Sequence, residues 1–270
     1  MRDITVHNYN INANLKKEIT ICHISDCHLT EYDKFSTKEE IDFANQQTLH
    51  WQKMRHSFAT GYKESFGGDA TIPACVHLDN LLKVSEKSDC LVFTGDMFDY
   101  MSGANIRALE GRINKLKKPF IYVCGNHEIP SQFPDDLSIS VIKQELQIVD
   151  LGEVIIVGFD NSKREITPSL LKRIKQLQKG GKKLIIAMHV PIVVEGNTLH
   201  QQTSEYFKFN YPNCPQINLD FVNFIKESKN IIALLCGHLH FSNDVDISQH
   251  TRQFVASQGV AGHINVYNLK

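Results

Sequence analysis

The arrangement of apolar and polar residues along the chain predicts an α/β protein. Short apolar runs rich in strand-forming residues predict buried strands. Five strong runs lie at residues 19–25, 90–93, 120–124, 184–188 and 231–236. Weaker patterns predict a strand at 153–159, two strands in the tail at 253–269, and an edge strand or extended arm within 1–18. Helical patterns alternate with the strands, which favours a layered α/β domain. We expect one domain over residues 1–270.

Apolar residues at helical spacing predict six helices. They cover residues 39–58, 76–87, 104–116, 138–146, the stretch between the Thr167–Pro168 start and the Gly180 stop, and 220–227. Two excursions at about 31–77 and 195–216 interrupt the alternation, and 60–73 reads as a Gly-rich loop. We expect both excursions to shape a substrate pocket.

The second excursion is rich in aromatic residues. They are Tyr206, Phe207, Phe209 and Tyr211, with His200 nearby. Two interpretations are open. The aromatic rings stack on a flat leaving group, or they form a small hydrophobic core that ties the loop down.

Composition limits the partners more than it identifies them. The 270 residues carry a net charge of −1, which gives no general attraction to nucleic acid or to an anionic membrane. No apolar run approaches the roughly 20 residues of a membrane helix, and residues 1–18 lack the apolar core of a signal peptide. The seven cysteines form no C-x-x-C pair, which suits a reducing compartment. We therefore predict a cytoplasmic protein with no membrane partner, and the sequence indicates no oligomeric state.

Each of the five strong strand runs ends in residues that can bind a metal. In an open α/β sheet the ligand site lies beyond the carboxyl ends of the strands, so these side chains should meet. They are Asp26, His28, Asp96, Asn126, His189, His238 and His240. Carboxylate and imidazole groups suit Mn, Fe, Zn or related divalent ions. Seven ligands exceed one tetrahedral ion, but they suffice for two if a carboxylate bridges, the usual arrangement for phosphoester displacement.

The order of these motifs resembles that of the calcineurin-like metallophosphoesterases. That family carries D-x-H, G-D-x-x-D, G-N-H-[DE], H and G-H-x-H, each after a strand. The corresponding segments here are Asp26-Cys27-His28, Gly95-Asp96-Met97-Phe98-Asp99, Gly125-Asn126-His127-Glu128, His189 and Gly237-His238-Leu239-His240. The resemblance covers about residues 19–240. It implies two packed mixed β-sheets flanked by helices, a four-layer α/β sandwich.

The resemblance also implies a role for each ligand. Asp26, His28 and His240 would hold one divalent ion. Asn126, His189 and His238 would hold the other. Asp96 would bridge the two ions, and a hydroxide bridging them would attack the phosphorus of a small phosphodiester or phosphomonoester.

Two further residues are expected to be catalytic on the basis of the resemblance. His127 would face the leaving oxygen and protonate it or stabilise its charge. Asp99 would accept a hydrogen bond from His127 and fix its orientation. Two interpretations of Glu128 stay open, a capping or supporting role and a catalytic one.

Departures from the family pattern argue against a protein phosphatase and against the Tyr-ligated iron of the purple acid phosphatases. Protein phosphatases of this superfamily carry an Arg-Gly after the second Asp and an Arg before the Gly-Asn-His, whereas Tyr100-Met101 and Cys124 stand here. Purple acid phosphatases place a Tyr at the position of Asp99, so no Tyr-ligated ferric ion is expected. Two alternatives to a small-molecule phosphoesterase remain. One is a nuclease-type phosphodiesterase, which the net charge disfavours, and the other is a non-catalytic metal-binding scaffold.

Overall fold

The computed structural model describes residues 4–61 and 72–270, and within these it shows two mixed β-sheets. The strands are β1 (Thr5–Ile11), β2 (Ile19–Ile24), β3 (Cys90–Phe93), β4 (Phe120–Tyr122), β5 (Gln147–Asp150), β6 (Val154–Gly158), β7 (Lys183–Ala187), β8 (Ile231–Cys236), β9 (Asn243–Asp246), β10 (Arg252–Val255) and β11 (His263–Leu269). The first sheet has the order β1-β11-β2-β3-β4, and the second has the order β5-β6-β7-β8-β10-β9.

Helices cover the outer faces of both sheets. They are α1 (Lys38–Gly61), α2 (Ala74–Val84), α3 (Gly103–Ile113), α4 (Pro168–Gln178), α5 (Thr198–Gln202) and α6 (Gln216–Glu227). Apolar residues of α1, α2 and α3 pack on the first sheet, and those of α4 and α6 pack on the second. A third apolar cluster fills the space between the sheets. The predicted four-layer α/β sandwich is therefore confirmed.

The central strands of each sheet run in parallel, and this direction places the site. Strands β2, β3 and β4 are parallel neighbours in the first sheet. Strands β6, β7, β8 and β10 are parallel neighbours in the second. The C-terminal tail contributes one strand to each sheet, β10 to the second and β11 to the first, so it ties the two sheets together.

The prediction of a helix at residues 138–146 is wrong. The structure shows only a short 3₁₀ turn, Ser140–Lys143, and β5 begins at Gln147. Ile139, Ile142 and Leu146 are buried, so their helix-like spacing reports contact with the core and not a helix. A segment this short gains too few backbone hydrogen bonds to offset helix nucleation. The polar edge strand β9 carried no sequence signal, and the Gly-rich loop predicted at 60–73 lies mostly outside the described residues.

Candidate metal centre and its surroundings

The predicted ligands meet at one edge of the sandwich because each follows the carboxyl end of a parallel strand. Five of them, Asp26, His28, Asp96, His238 and His240, have a left-handed backbone with φ between 44° and 74°. Only three other non-glycine residues in the described part of the chain share it. This conformation costs free energy for residues with a side chain, and such strain concentrates at functional sites.

Glycines in the motifs allow the strand ends to approach closely. A Cβ atom on Gly125 would collide with the carboxylate of Asp96. A Cβ on Gly237 would lie 2.6 Å from Oδ2 of Asp26. Gly95, with φ of +92°, lies against the backbone of Gly125. Gly125 thus lets the loop after β4 approach Asp96 after β3, and Gly237 lets the loop after β8 approach Asp26 in the other sheet.

One group of ligands, the His28 cluster, consists of Asp26, His28, His240 and Asp96. Nε2 of His240 lies 3.2 Å from Oδ1 of Asp26 and 3.1 Å from Nε2 of His28. Nε2 of His28 lies 4.0 Å from the same Asp26 oxygen. The Asp26 carboxylate is held in place by the backbone N–H of His238, which donates to it at 3.1 Å.

A second group, the His189 cluster, consists of Asp96, His189 and His238, with Asn126 beside them. Nε2 of His189 lies 3.2 Å from Oδ2 of Asp96, 3.1 Å from Oδ1 of Asn126 and 3.1 Å from Nδ1 of His238. Nδ1 of His189 donates to the backbone carbonyl of Thr94 at 2.6 Å, which leaves Nε2 free as a metal ligand.

The two clusters share Asp96, as a bridging ligand would require. Burial alone would raise the pKa of Asp96, but His189 and the other imidazoles hold it well below the usual range. Burial lowers the pKa of His28 well below its ordinary value and that of His238 to about 3, so both rings are neutral and can coordinate. Burial also disfavours a charged His189, yet Asp96 outweighs it and raises the His189 pKa to about 10, so an ion bound at Nε2 would take the place of the proton that Asp96 attracts there. Buried imidazole and carboxylate atoms in mutual contact fit two divalent ions.

His127 and Asp99 border the centre, where they form a further group of possible ligands with His28, and Asp99 accepts a hydrogen bond from His127 through its backbone carbonyl. Nδ1 of His127 donates to the backbone carbonyl of Asp99 at 2.6 Å, and the Asp99 carboxylate is 4.0 Å away. The backbone N–H of His127 donates to Oδ1 of Asp96 at 2.9 Å. The Asp99 carboxylate instead accepts a hydrogen bond of 2.9 Å from the indole of Trp51. His127 keeps about a third of its side chain exposed, so it can reach a substrate.

Glu128 joins the loops after β3 and β4. Its buried carboxylate accepts hydrogen bonds from the backbone N–H groups of Asp96, Met97 and Gly125 at 2.6–2.8 Å, and from the Tyr122 hydroxyl at 3.1 Å. Burial and the charge of Asp96 raise its pKa to about 7, against the effect of the backbone donors. These contacts favour the supporting interpretation of Glu128.

Both excursions bring aromatic residues to the centre. In the first, Trp51 of α1 stacks on His28 with ring centroids 4.2 Å apart. In the second, Phe209 is buried in the core, whereas Tyr206 is 61% and Phe207 37% exposed. The rings of Tyr206 and Phe207 lie 6.4 and 5.2 Å from that of His238. The burial of Phe209 supports the interpretation of a small core that ties the loop down, whereas stacking of the exposed pair on a leaving group stays a prediction.

Comparison with known proteins places the chain in a family. The sequence profile of the Calcineurin-like phosphoesterase family matches residues 19–242, so the chain belongs to this family of metal-dependent phosphoesterases. Among solved structures it resembles a dimetal phosphatase from Danio rerio, with 10% identity, a TM-score of 0.54, and coverage of 90% of this chain and 88% of that one. The comparison with curated protein sequences finds no match.

A second solved structure agrees on the fold. Purple acid phosphatase PPD1 from yellow lupin, Lupinus luteus, matches with 12% identity and a TM-score of 0.53 over 92% of this chain. The match spans 45% of the lupin chain, so this chain corresponds to less than half of that enzyme. At these identities both likenesses show the shared fold. None of the helices within residues 4–61 and 72–270 combines the length and apolar character needed to cross a membrane.

Proposed function

We propose that the chain hydrolyses a small phosphomonoester or phosphodiester at a dinuclear metal centre. The observation that carries this proposal is the position of Asp96. It belongs to both the His28 cluster and the His189 cluster, so a single carboxylate can join two ions. Asp26, His28 and His240 would complete one site, and Asn126, His189 and His238 the other. Mn, Fe and Zn match this donor set.

The bound ions would polarise the phosphoryl group and lower the pKa of water toward about 7, so that a nucleophile exists at neutral pH. The chain's own groups do the rest. The strained backbone after the strands holds the ligands in fixed directions, and Glu128 keeps the Asp96 loop against the Asn126 loop. Nδ1 of His127 donates to a carbonyl, which leaves Nε2 as the atom that can give a proton to the leaving oxygen.

Net charge, free cysteines and the position of His127 favour a cytoplasmic small-molecule phosphoesterase over a nuclease or a scaffold. The net charge of −1 provides no field for a nucleic acid backbone. All seven cysteines are free, which is consistent with a cytoplasmic protein. A pure scaffold would have no use for His127, which is a neighbour of the ligands, is partly exposed and is fixed by its own hydrogen bond.

The test is a reconstitution with one metal at a time. Metal-free protein is loaded with Mn²⁺, Fe²⁺ or Zn²⁺ and assayed on p-nitrophenyl phosphate, bis-p-nitrophenyl phosphate, an alkyl phosphate and single- and double-stranded oligonucleotides. Asp96→Asn, prepared in the same way, reveals any contaminating phosphatase. We expect metal-dependent turnover of small esters that Asp96→Asn lacks. Two bound ions without turnover would identify a scaffold, and faster cleavage of oligonucleotides would identify a nuclease; either result overturns the proposal.

A further inference from the structure

Trp51 lies against the metal centre although it comes from an excursion outside the family motifs. It is the only tryptophan of the chain, and its side chain is 6% exposed. Its indole stacks on His28 at 4.2 Å with an interplanar angle of 26°, and its centroid lies 5.5 Å from that of His240. The indole therefore touches two ligands of the His28 cluster.

The indole N–H of Trp51 also donates a hydrogen bond at the centre. Nε1 of Trp51 donates to Oδ1 of Asp99 at 2.9 Å. The same oxygen lies 3.7 Å from Nδ1 of His28. Among the described residues this buried Nδ1 has no hydrogen-bond partner, and the Asp99 carboxylate, although beyond hydrogen-bond distance, is the acidic group that faces it. The opposite nitrogen, Nε2, faces Asp26 and His240.

We propose that Trp51 is a positioning residue that sets the metal affinity of the His28 cluster. It acts in two ways, because it stacks on the His28 ring and also holds the Asp99 carboxylate opposite His28 Nδ1. A carboxylate at the second nitrogen of a ligating imidazole fixes its tautomer and orientation, and the loss of such a partner typically costs about 10–100-fold in metal affinity. A buried indole N–H takes an acceptor in any core, so the feature that points to positioning is that the same Asp99 oxygen also faces His28.

The loss of metal affinity caused by a change at Trp51 should be confined to the His28 cluster. In the His189 cluster the corresponding hydrogen bond runs from His189 Nδ1 to the backbone carbonyl of Thr94, and neither Trp51 nor Asp99 takes part. Helix α1 therefore adjusts one site through Trp51 while the other is fixed by the strand backbone. The inference rests on the metal binding in the proposed function but not on its substrate.

The experiment measures zinc affinity without any substrate. Metal-free wild type, Trp51→Phe, Trp51→Ala and Leu49→Ala are titrated with Zn²⁺ in competition with a chromophoric chelator. Leu49 is an exposed residue of the same helix and serves as the control for helix stability. We expect two equivalents in the wild type and in Leu49→Ala. Trp51→Phe keeps a stacking ring and should weaken one site about 10-fold, and Trp51→Ala about 100-fold, with the second site unchanged.

Two further readouts separate positioning from packing. Because Trp51 is the sole tryptophan, paramagnetic Mn²⁺ in the centre should quench its fluorescence, and the quenching should saturate at a lower Mn²⁺ concentration in the wild type than in Asp99→Asn. Asp99→Asn should weaken the same site as Trp51→Phe, and the double variant should be less than additive because both changes break one hydrogen bond.

Two results would overturn the inference while the proposed function stands: unchanged affinities in both Trp51 variants, or an equal loss at both sites. Two tightly bound ions without ester hydrolysis would overturn the proposed function alone. A wild type that binds fewer than two ions would overturn both.

Discussion

The imidazole of His127 is oriented by the backbone of Asp99 and not by its carboxylate. Nδ1 of His127 lies 2.6 Å from the Asp99 carbonyl oxygen and 4.0 Å from Oδ1. Burial disfavours a charged His127, but Asp96, the Asp99 carbonyl and the Asp99 carboxylate together raise its pKa above the ordinary value. A histidine that holds its proton more firmly, with Nε2 toward the site, is suited to protonate a leaving oxygen.

The first prediction concerns His127→Ala. We expect both metal equivalents to remain, because His127 is not among the seven expected ligands and alanine keeps the backbone N–H that donates to Asp96, and we expect turnover of an alkyl phosphate to fall about 10²–10⁴-fold. The loss should be much smaller for p-nitrophenyl phosphate, since p-nitrophenolate leaves without a proton. Steady-state rates on the two esters, with metal content measured on the same samples, provide the test.

Asp99→Asn is the matched control for that prediction, because it keeps the backbone carbonyl. Its ratio of aryl to alkyl turnover should rise much less than in His127→Ala, because the carbonyl still orients the ring and only the carboxylate charge that helps to raise the His127 pKa is lost. If His127→Ala loses a metal, or slows both esters equally, His127 is a ligand or a structural residue and the acid role is wrong.

The second prediction is that Asp96→Asn damages the centre more than any single histidine change. The amide removes the charge that both clusters share, so both sites should weaken together. His240→Ala and His238→Ala should each weaken mainly one site. Metal content after dialysis against a weak chelator distinguishes the two patterns. A metal-replete Asp96→Asn with near-normal turnover would refute the bridging assignment.

The layered fold and the convergence of the ligands could be predicted because both follow from local patterns. Buried parallel strands are continuous apolar runs, and their carboxyl ends meet at one edge. The failure at 138–146 has the same origin, since apolar spacing reports burial and does not distinguish a helix from an irregular segment. The polar strand β9 is defined by its pairing with β10, which is not visible in its own residues.

The supporting contacts of the site could not be predicted, because they depend on tertiary packing. Trp51 lies within the helix predicted at 39–58, but nothing in its spacing indicates that α1 lies over His28. The Asp99 carbonyl accepts a hydrogen bond from His127, and the Asp99 carboxylate accepts one from Trp51. This division depends on how the loop after β3 packs against α1. Glu128 follows His127 in the motif, but only the folded loops show that its carboxylate accepts hydrogen bonds from two strand ends.

The third prediction is that Glu128→Gln destabilises the fold around the site. A glutamine places an N–H₂ group where Glu128 now accepts hydrogen bonds, so at least one buried backbone donor loses its acceptor. Each such loss costs about 1–3 kcal/mol. Urea unfolding of metal-free protein should show a lower free energy of unfolding for Glu128→Gln than for the wild type. Equal stability would show that the contacts contribute nothing.

The fourth prediction concerns acid sensitivity at His23, a buried core histidine. Its ring lies 2.6 Å from the Thr94 hydroxyl and 3.1 Å from that of Tyr267. Burial lowers its pKa to about 3, against about 6.5 in an unfolded chain. Between these values the unfolded state binds the extra proton, so stability is complete above pH 6.5 and falls by up to about 1.4 kcal/mol per pH unit below it.

His23→Gln should remove this contribution. The loss of unfolding free energy between pH 7 and pH 5 should be about 2 kcal/mol smaller in the variant than in the wild type. Urea titrations of metal-free protein at both pH values measure it, and the exposed His250→Gln controls for the loss of one histidine. Parallel pH dependence in His23→Gln and the wild type would contradict the prediction.

The fifth prediction concerns Tyr206 and Phe207. The loop that carries them is held by Arg164, whose guanidinium lies 5.4 Å from the Tyr206 ring and 3.4 Å from the carbonyl oxygens of Glu205 and Tyr206. Arg164 itself has a left-handed backbone with φ of 60°. Two exposed aromatic rings held beside the ligand His238 can stack on a flat leaving group, and such stacking is worth about 1–3 kcal/mol per ring.

Tyr206→Ala and Phe207→Ala should therefore lower kcat/KM for an aryl or nucleoside phosphate about 5- to 150-fold, with little change for an alkyl phosphate. Tyr206→Phe keeps the ring and should resemble the wild type. The aryl-to-alkyl ratio falls in these alanine variants and rises in His127→Ala, because stacking favours the aryl ester and acid catalysis favours the alkyl ester. An equal loss on both esters in the alanine variants would mean that the pair supports the loop and does not contact the leaving group.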